Sequence, residues 1–352
     1  MGRLNKKIVR TGLETIYHTG GHLLGAPFLS GVGSILTFHH VRPARPDAFQ
    51  PNRSLEIEPA FLEEVLKALR AADVDIVTLD ELHRRLTGRD FRRRFVALTF
   101  DDGYRDNRDH ALPILRKYEA PFTLFAPSAF AEGTGDLWWI ALERAIARAD
   151  SIALPVEGTL RTYDCSTDDA KDETFTTVYW WLRSLPSEAE MRQVIRELAL
   201  EHRIDVDSIC REFCMDWSEL AAFARDPLVA IGAHTDSHVM LAKASPEAAR
   251  ADILRGVGEL ETKLGVRPAH LSFPVGDPTS AGPRDFDIAR ELGFRTAVTT
   301  RPGVLFAEHS AHLTALPRIS VNGEFQRVRY LNVLLSGVPT ALMNRFRRVN
   351  AA

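Results

Sequence analysis

The chain has 352 residues, 45% hydrophobic and 26% charged, with a formal net charge of -3. That length can bury a sizeable core in one large or two ordinary domains, and near-neutral charge argues against a general nucleic-acid binder, which carries a basic excess. Three cysteines, Cys165, Cys210 and Cys214, are too few and too unevenly placed for a disulfide framework. Cys210 and Cys214, four apart on an expected helix with no second thiol pair, read as buried thiols.

Residues 1–32 form an amphipathic segment with basic residues but no unbroken apolar core, since Glu14, His18 and His22 interrupt it. No secretory signal is expected, no stretch has the length of a transmembrane helix, and the cytoplasm is the default location. Short apolar runs follow: SILTF (34–38), VDIVTL (74–79), FVALTF (95–100), FTLFA (122–126), VAIGA (229–233), HLSF (270–273) and FRTAVTT (294–300). Between them lie helical patterns such as 59–73 and 245–265; in the second, Ser245 caps, Pro246 sits at the first helical position and Gly265 closes. Strands without alternation, interleaved with helices, imply a parallel sheet covered on both faces, and an α/β barrel of about seven strands fits. Residues 131–228 break the rhythm and hold all five tryptophans, Trp138, Trp139, Trp180, Trp181 and Trp217. They read as a helical insertion whose tryptophans pack the lobe more often than they stack on a sugar. The stretch 323–352, with Arg327, Arg329, Arg345, Arg347 and Arg348, reads as a basic C-terminal helix. It either docks on the barrel or makes peripheral contact with an acidic inner-membrane surface.

Two stretches carry chemistry. In VALTFDDGYRDN a buried strand runs straight into Asp101-Asp102-Gly103, where an ordinary strand end would need only one carboxylate. In IGAHTDSHVML another buried strand ends at His234, with His238 four residues on. In a barrel both lie at carboxyl ends of strands, where active sites sit. Two imidazoles and one carboxylate leave open positions around a divalent ion, as a catalytic zinc site requires. The neighbouring carboxylate can then take the proton of a water activated there.

TFDDG (99–103) followed by HTDSH (234–238) resembles the polysaccharide deacetylases of carbohydrate esterase family 4, the NodB-like domain, over roughly residues 33–322. The resemblance implies a distorted TIM-like barrel, Asp101 as general base, and Asp102, His234 and His238 as metal ligands, with zinc favoured over cobalt or nickel. It also implies an N-acetylated carbohydrate as substrate. The family's Arg-x-Pro-Tyr motif is altered to LSFPVGDP, with Ser272 and Val275 where Arg and Tyr stand and with Pro274 and Gly276 kept. The Val275 N–H remains a candidate oxyanion donor, since that role needs no side chain. Arg318, in ALPRISV, is the candidate for orienting the base, against the alternative of a surface ion pair. The general acid is expected to be His39, in ILTFHHVRP, with His40 and His312 as alternatives.

Metal-dependent N-deacetylation of a glycan or glycolipid is the reading these residues favour. An O-deacetylase or non-sugar amidase would use the same groups, and a catalytically silent sugar-binding barrel is the non-enzymatic alternative. A retaining glycosidase is disfavoured, because sequence neighbours cannot easily flank one glycosidic bond.

Overall fold

The structure, a computed structural model, describes residues 3–350. Its parallel strands are β1 (Gly33–Phe38), β2 (Asp75–Val77), β3 (Phe95–Phe100), β4 (Phe122–Ala126), β5 (Val229–Ala233), β6 (His270–Ser272), β7 (Thr296–Pro302) and β8 (Leu316–Ser320). Seven of them close a barrel in the order β1-β8-β7-β6-β5-β4-β3, and β3 returns to β1 in register from Gly33↔Phe95 to Phe38↔Phe100. Every residue of β1 and β3 is buried, as their unalternating apolar runs require of strands covered on both faces.

β2 is the exception. It pairs with β3 only from Asp75↔Phe95 to Val77↔Ala97, and β4 takes over that edge from Leu98↔Phe122 onward. The expected strand at 74–79 is shorter because Thr78 caps a helix instead: its hydroxyl accepts from the Glu81 N–H and the helix Leu79–Gly88 begins at once.

Helices α1 (Arg3–His18) and α2 (Gly21–Leu29) precede the barrel, and α3 (Trp138–Arg148) and α4 (Asp168–Ser184) belong to the insertion. α5 (Pro246–Leu264) packs against β5, while α6 (Val328–Leu335) and α7 (Val338–Met343) follow β8. α5 begins and ends as its sequence indicates: the Ser245 hydroxyl accepts from Ala248 N–H, and Gly265 closes the helix at φ 75°.

Two expectations change. The insertion is not wholly helical: Ser151–Val156 and Thr159–Asp164 form an antiparallel hairpin. It turns on Glu157 (φ 52°) and Gly158 (φ 75°), the left-handed pair a two-residue hairpin loop demands. Ile152, Leu154 and Val156 face the lobe's own core beside Leu142, Ile146 and Val178. The C-terminal stretch is likewise two short helices, not one. The break falls at Gly337 (φ 74°), and Pro339 is the second residue of the next helix. Cys165, Cys210 and Cys214 are free and buried.

The two ends of the chain pack together. Leu13 of α1 joins Tyr330 and Val333 of α6 in a small core, and Glu14 accepts hydrogen bonds from Arg329 Nη2 and Tyr330 Oη, each at 2.5 Å. A Cβ on Gly337 would stand 1.8 Å from the Leu29 carbonyl oxygen. Gly337→Ala is therefore expected to lower unfolding stability by more than about 1 kcal/mol through clash and lost left-handed freedom together. Urea titration followed by circular dichroism checks this, and an unchanged midpoint would show that the terminal helices do not unfold with the barrel.

Candidate active site

Asp101 prolongs the barrel ladder, its N–H donating to Phe38 O at 3.0 Å. Asp102 then turns to φ 74° and Gly103 to φ 68°. An untwisted strand would point successive side chains to opposite faces. The left-handed step at Asp102, tolerated better by Asp than by most residues, lets both carboxylates line the same cavity.

His234 follows β5 directly, and its Nδ1 hydrogen-bonds to Ser272 O at 2.7 Å, which fixes the tautomer and leaves Nε2 for the site. His234 Nε2 and His238 Nε2 stand 3.4 and 3.3 Å from Asp102 Oδ1. The donor atoms of the three residues all lie within 4.8 Å of one another. Ligands held about 2.0–2.1 Å from a tetrahedral ion would be about 3.4 Å apart, so the donor set fits a divalent metal such as zinc. Asp102 Oδ1 is moreover buried without a hydrogen-bond partner among the described residues. Burial acts to raise the Asp102 pKa, but the two imidazoles pull it well below the usual carboxylate range.

The loop holding His238 is strained. Thr235 (φ 62°) and His238 (φ 55°) are both left-handed, and Thr235 is β-branched. Asp252 on α5 holds it: its Oδ1 accepts from Asp236 N–H at 3.0 Å and Ser237 N–H at 3.1 Å, and its Oδ2 from Ser237 Oγ at 2.7 Å. Gly256, one turn on, lets the loop approach, since a Cβ there would lie 2.4 Å from Thr235 O. Asp252 and Gly256 were not singled out from sequence; a carboxylate four residues before a glycine on a helix looks like any solvated helix face.

Arg318 is no surface ion pair. Its side chain is fully buried, with Nη1 2.9 Å from Asp101 Oδ1 and Nη2 2.6 Å from Asp101 Oδ2. Nε donates to Thr299 O (2.9 Å), Nη1 also to Thr99 Oγ1 (3.2 Å) and Nη2 also to Ser272 Oγ (3.0 Å). All of the guanidinium's donors are thus engaged. Ser272, standing where the resemblance places an arginine, instead passes the contact on, its Oγ lying 3.4 Å from Asp101 Oδ2. Burial acts to raise the Asp101 pKa, and Arg318 overrides it, holding the carboxylate below its ordinary value.

The three histidines proposed as acid separate clearly. His39 lines the cavity with Nε2 4.0 Å from Asp101 Oδ2. Burial lowers its pKa against the raising influence of the two aspartates. His40 turns away, with Nδ1 2.6 Å from Asp106 Oδ2 and its ring stacked on Tyr104 at 3.5 Å. His312 is exposed beside Leu313, whose carbonyl accepts from Ala297 N–H at the start of β7, so it lies toward the amino ends of the strands and away from the aspartates. Val275 is left-handed (φ 61°) and lines the cavity; its N–H has no hydrogen-bond partner among the described residues.

The cavity has a volume of about 690 Å³. Its floor is the aspartates and histidines; its wall includes Trp138, Trp139, Phe175, Tyr179 and Trp180 from the insertion. Trp138 and Trp139 are buried and packed, Trp139 5.3 Å from the His238 ring, whereas Trp180 is half exposed at the rim. The insertion is tied to the Val275 loop by buried Arg183, which bonds Asp277 Oδ2 and Thr279 Oγ1, both at 2.8 Å.

The polysaccharide deacetylase family model matches residues 88–153 and 165–297. Among solved structures, IcaB from Ammonifex degensii is 19% identical with a TM-score of 0.53, covering 87% of this chain and 96% of that one. The Streptococcus pyogenes deacetylase PplD, solved with acetate, is 19% identical with a TM-score of 0.52, covering 86% and 97%. BC0361, a polysaccharide deacetylase from Bacillus cereus, is 14% identical with a TM-score of 0.52, covering 86% of this chain and 68% of that one. At such identities the likeness to these structures is one of fold. No curated protein matches the sequence.

Two outcomes test this geometry. Zinc titration by calorimetry is expected to show binding abolished in Asp102→Ala and His238→Ala, and weakened about 10–100-fold in Gly256→Ala, whose effect passes through the loop. Parent-like affinity in the first two would remove the ligand assignment. Arg318→Ala, which strands a buried carboxylate, is expected to cost about 3–5 kcal/mol in denaturant unfolding, against less than about 1 kcal/mol for a surface pair.

Proposed function

The chain belongs to the polysaccharide deacetylase family, and from that membership we propose that it hydrolyses N-acetyl groups on amino sugars of a glycan or glycolipid with the help of a divalent metal. The observation that carries the reading is one cavity holding both the Asp102–His234–His238 donor set and a second carboxylate, Asp101, locked by a buried arginine. A metal bound by that set would supply Lewis-acid polarisation and lower the pKa of a water from 15.7 to about 7.

The chain's own groups divide the remaining work. Asp101, kept ionised and oriented by Arg318, accepts the proton of the attacking water. The water oxygen bonds to the acyl carbon, and the Val275 N–H donates to the carbonyl oxygen as negative charge grows there. The C–N bond then breaks as His39, beside Asp101, passes to the amine nitrogen the proton that Asp101 took from the water, leaving acetate and a free amino sugar. Trp180, half exposed at the rim, offers an aromatic face to a sugar ring.

Acetate release from a panel of N-acetylated glycans, with and without added zinc, cobalt or nickel, tests the reaction. Release that requires metal is expected; release only from O-acetylated substrates would move the assignment to an esterase. Asp101→Asn should retain metal and lose at least about a hundredfold in kcat, and survival within tenfold of the parent would rule Asp101 out as base. His39→Ala should lose amide hydrolysis while sparing an ester with a good leaving group, which needs no proton to depart. Equal losses on both substrates would give His39 a structural role.

A further inference from the structure

We propose that α2, α7 and the residues that follow α7 jointly form a docking surface for an anionic lipid bilayer. Leu23, Leu24 and Phe28 of α2 and Leu342, Met343 and Phe346 at the other end of the chain are each more than half exposed, six of the ten large hydrophobic side chains so exposed among the described residues. They come from segments three hundred residues apart that the fold brings together. Gly25 presents no Cβ to Val338, whose Cγ2 would stand 2.4 Å from one, and Gly337 lies against the Leu29 carbonyl. Scattered exposed leucines need no explanation, but apolar side chains gathered from both ends of a chain do.

The place of this surface follows from hydrogen bonds. Arg94, immediately before β3, donates through Nη2 to Ser30 O at 3.2 Å and Leu335 O at 3.1 Å. Ser30 in turn lies three residues before β1. α2 and the start of α7 therefore lie at the amino ends of the strands, whereas Asp101 and His234 follow their carboxyl ends; from Asn344, whose Nδ2 donates to Pro302 O at 2.9 Å, the chain runs along the barrel's flank against the end of β7.

Charge selects the occupant. Residues 338–350 contain Arg345, Arg347 and Arg348 and no acidic residue, in a chain of net charge -3. Arg348 pairs with Glu308 at 2.9 Å, while Arg345, Arg347 and Lys7 are exposed and make no ion pair among the described residues. Glu14, the one acidic residue before β1, is taken by Arg329 and Tyr330. A second copy would bring like charges face to face in an isologous contact, which costs rather than gains. Apolar side chains flanked by unpaired cations suit an anionic interface, into which the former insert while the latter meet head groups. No helix among the described residues is long and apolar enough to cross a membrane, so the contact is peripheral. This reading does not depend on the reaction assigned to the cavity.

Co-sedimentation of the full chain with vesicles tests it. Vesicles containing phosphatidylglycerol should bind at least about tenfold more tightly than pure phosphatidylcholine, and binding should weaken with salt. Leu24→Glu with Phe28→Glu, and separately Arg345→Glu with Arg347→Glu, should each lose at least about tenfold with an unchanged thermal midpoint, since all four side chains are exposed. Absence of binding, equal binding to both vesicle types, or a dimer in sedimentation equilibrium that Phe28→Glu dissociates would overturn the proposal.

Discussion

A carboxylate that stays ionised inside a barrel faces a contradiction. Taken out of water it gains a proton unless something pays several kcal/mol to keep it charged. Arg318 resolves this for Asp101. Two charges about 4 Å apart attract by about 4 kcal/mol at the effective dielectric suited to proteins, which does not by itself exceed the desolvation of both groups. What closes the gap is full use of the guanidinium: two contacts to Asp101 and one each to Thr299 O, Thr99 Oγ1 and Ser272 Oγ. These partners come from β3, β6 and β7 and Arg318 itself from β8, so the ion pair depends on barrel closure as much as it serves the site. A pair of this kind adds little to stability compared with an apolar core, and its presence marks a position where charge is required.

Backbone conformation is the second constraint. Asp102, Thr235, His238 and Val275 all sit at positive φ, and all line the cavity or the turn behind it. Left-handed residues cost of order 1 kcal/mol or more each and persist only where the surroundings hold them. Here the restraint is visible for three of the four. Asp252 and Gly256 clamp the turn at Thr235, and the Thr300 hydroxyl donates to Val275 O at 2.7 Å. The Asp102 carboxylate is left facing two imidazoles with no other partner for Oδ1. Strain and an orphaned buried acceptor meet at the point where the proposed donor set converges.

That Asp102, His234 and His238 meet at one point was legible because each follows an apolar run that reads as a buried strand, with the two histidines four apart. The barrel was legible for the same reason: β3, β4 and β5 begin and end where their apolar runs do. The hairpin at 151–164 was not, although Ile152, Leu154 and Val156 alternate and Glu-Gly follows, because helical patterns on both sides outweighed a short alternation. The support of the site was harder still. Asp252 and Arg183 act through partners distant in sequence and carry no local pattern. His39 and Arg318 lie outside the residues that the family model matches, 88–153 and 165–297, so their places depend on closure of the barrel through β1 and β8.

The division between barrel and insertion bears on selectivity. The carboxyl ends of the strands furnish the charged groups, but five aromatic side chains of the cavity wall belong to α3 and α4. These helices are not free to drift. Arg183 binds Asp277, two residues beyond Val275, and Trp139 packs on the ring of His238. A change in the insertion that moved α4 would therefore displace the loop bearing the proposed oxyanion donor, and one that moved Trp139 would alter the packing of the His238 imidazole. The shape of the cavity and the placement of Val275 and His238 are coupled through these two contacts, so a change that reshapes the aromatic wall also acts on the groups proposed to react.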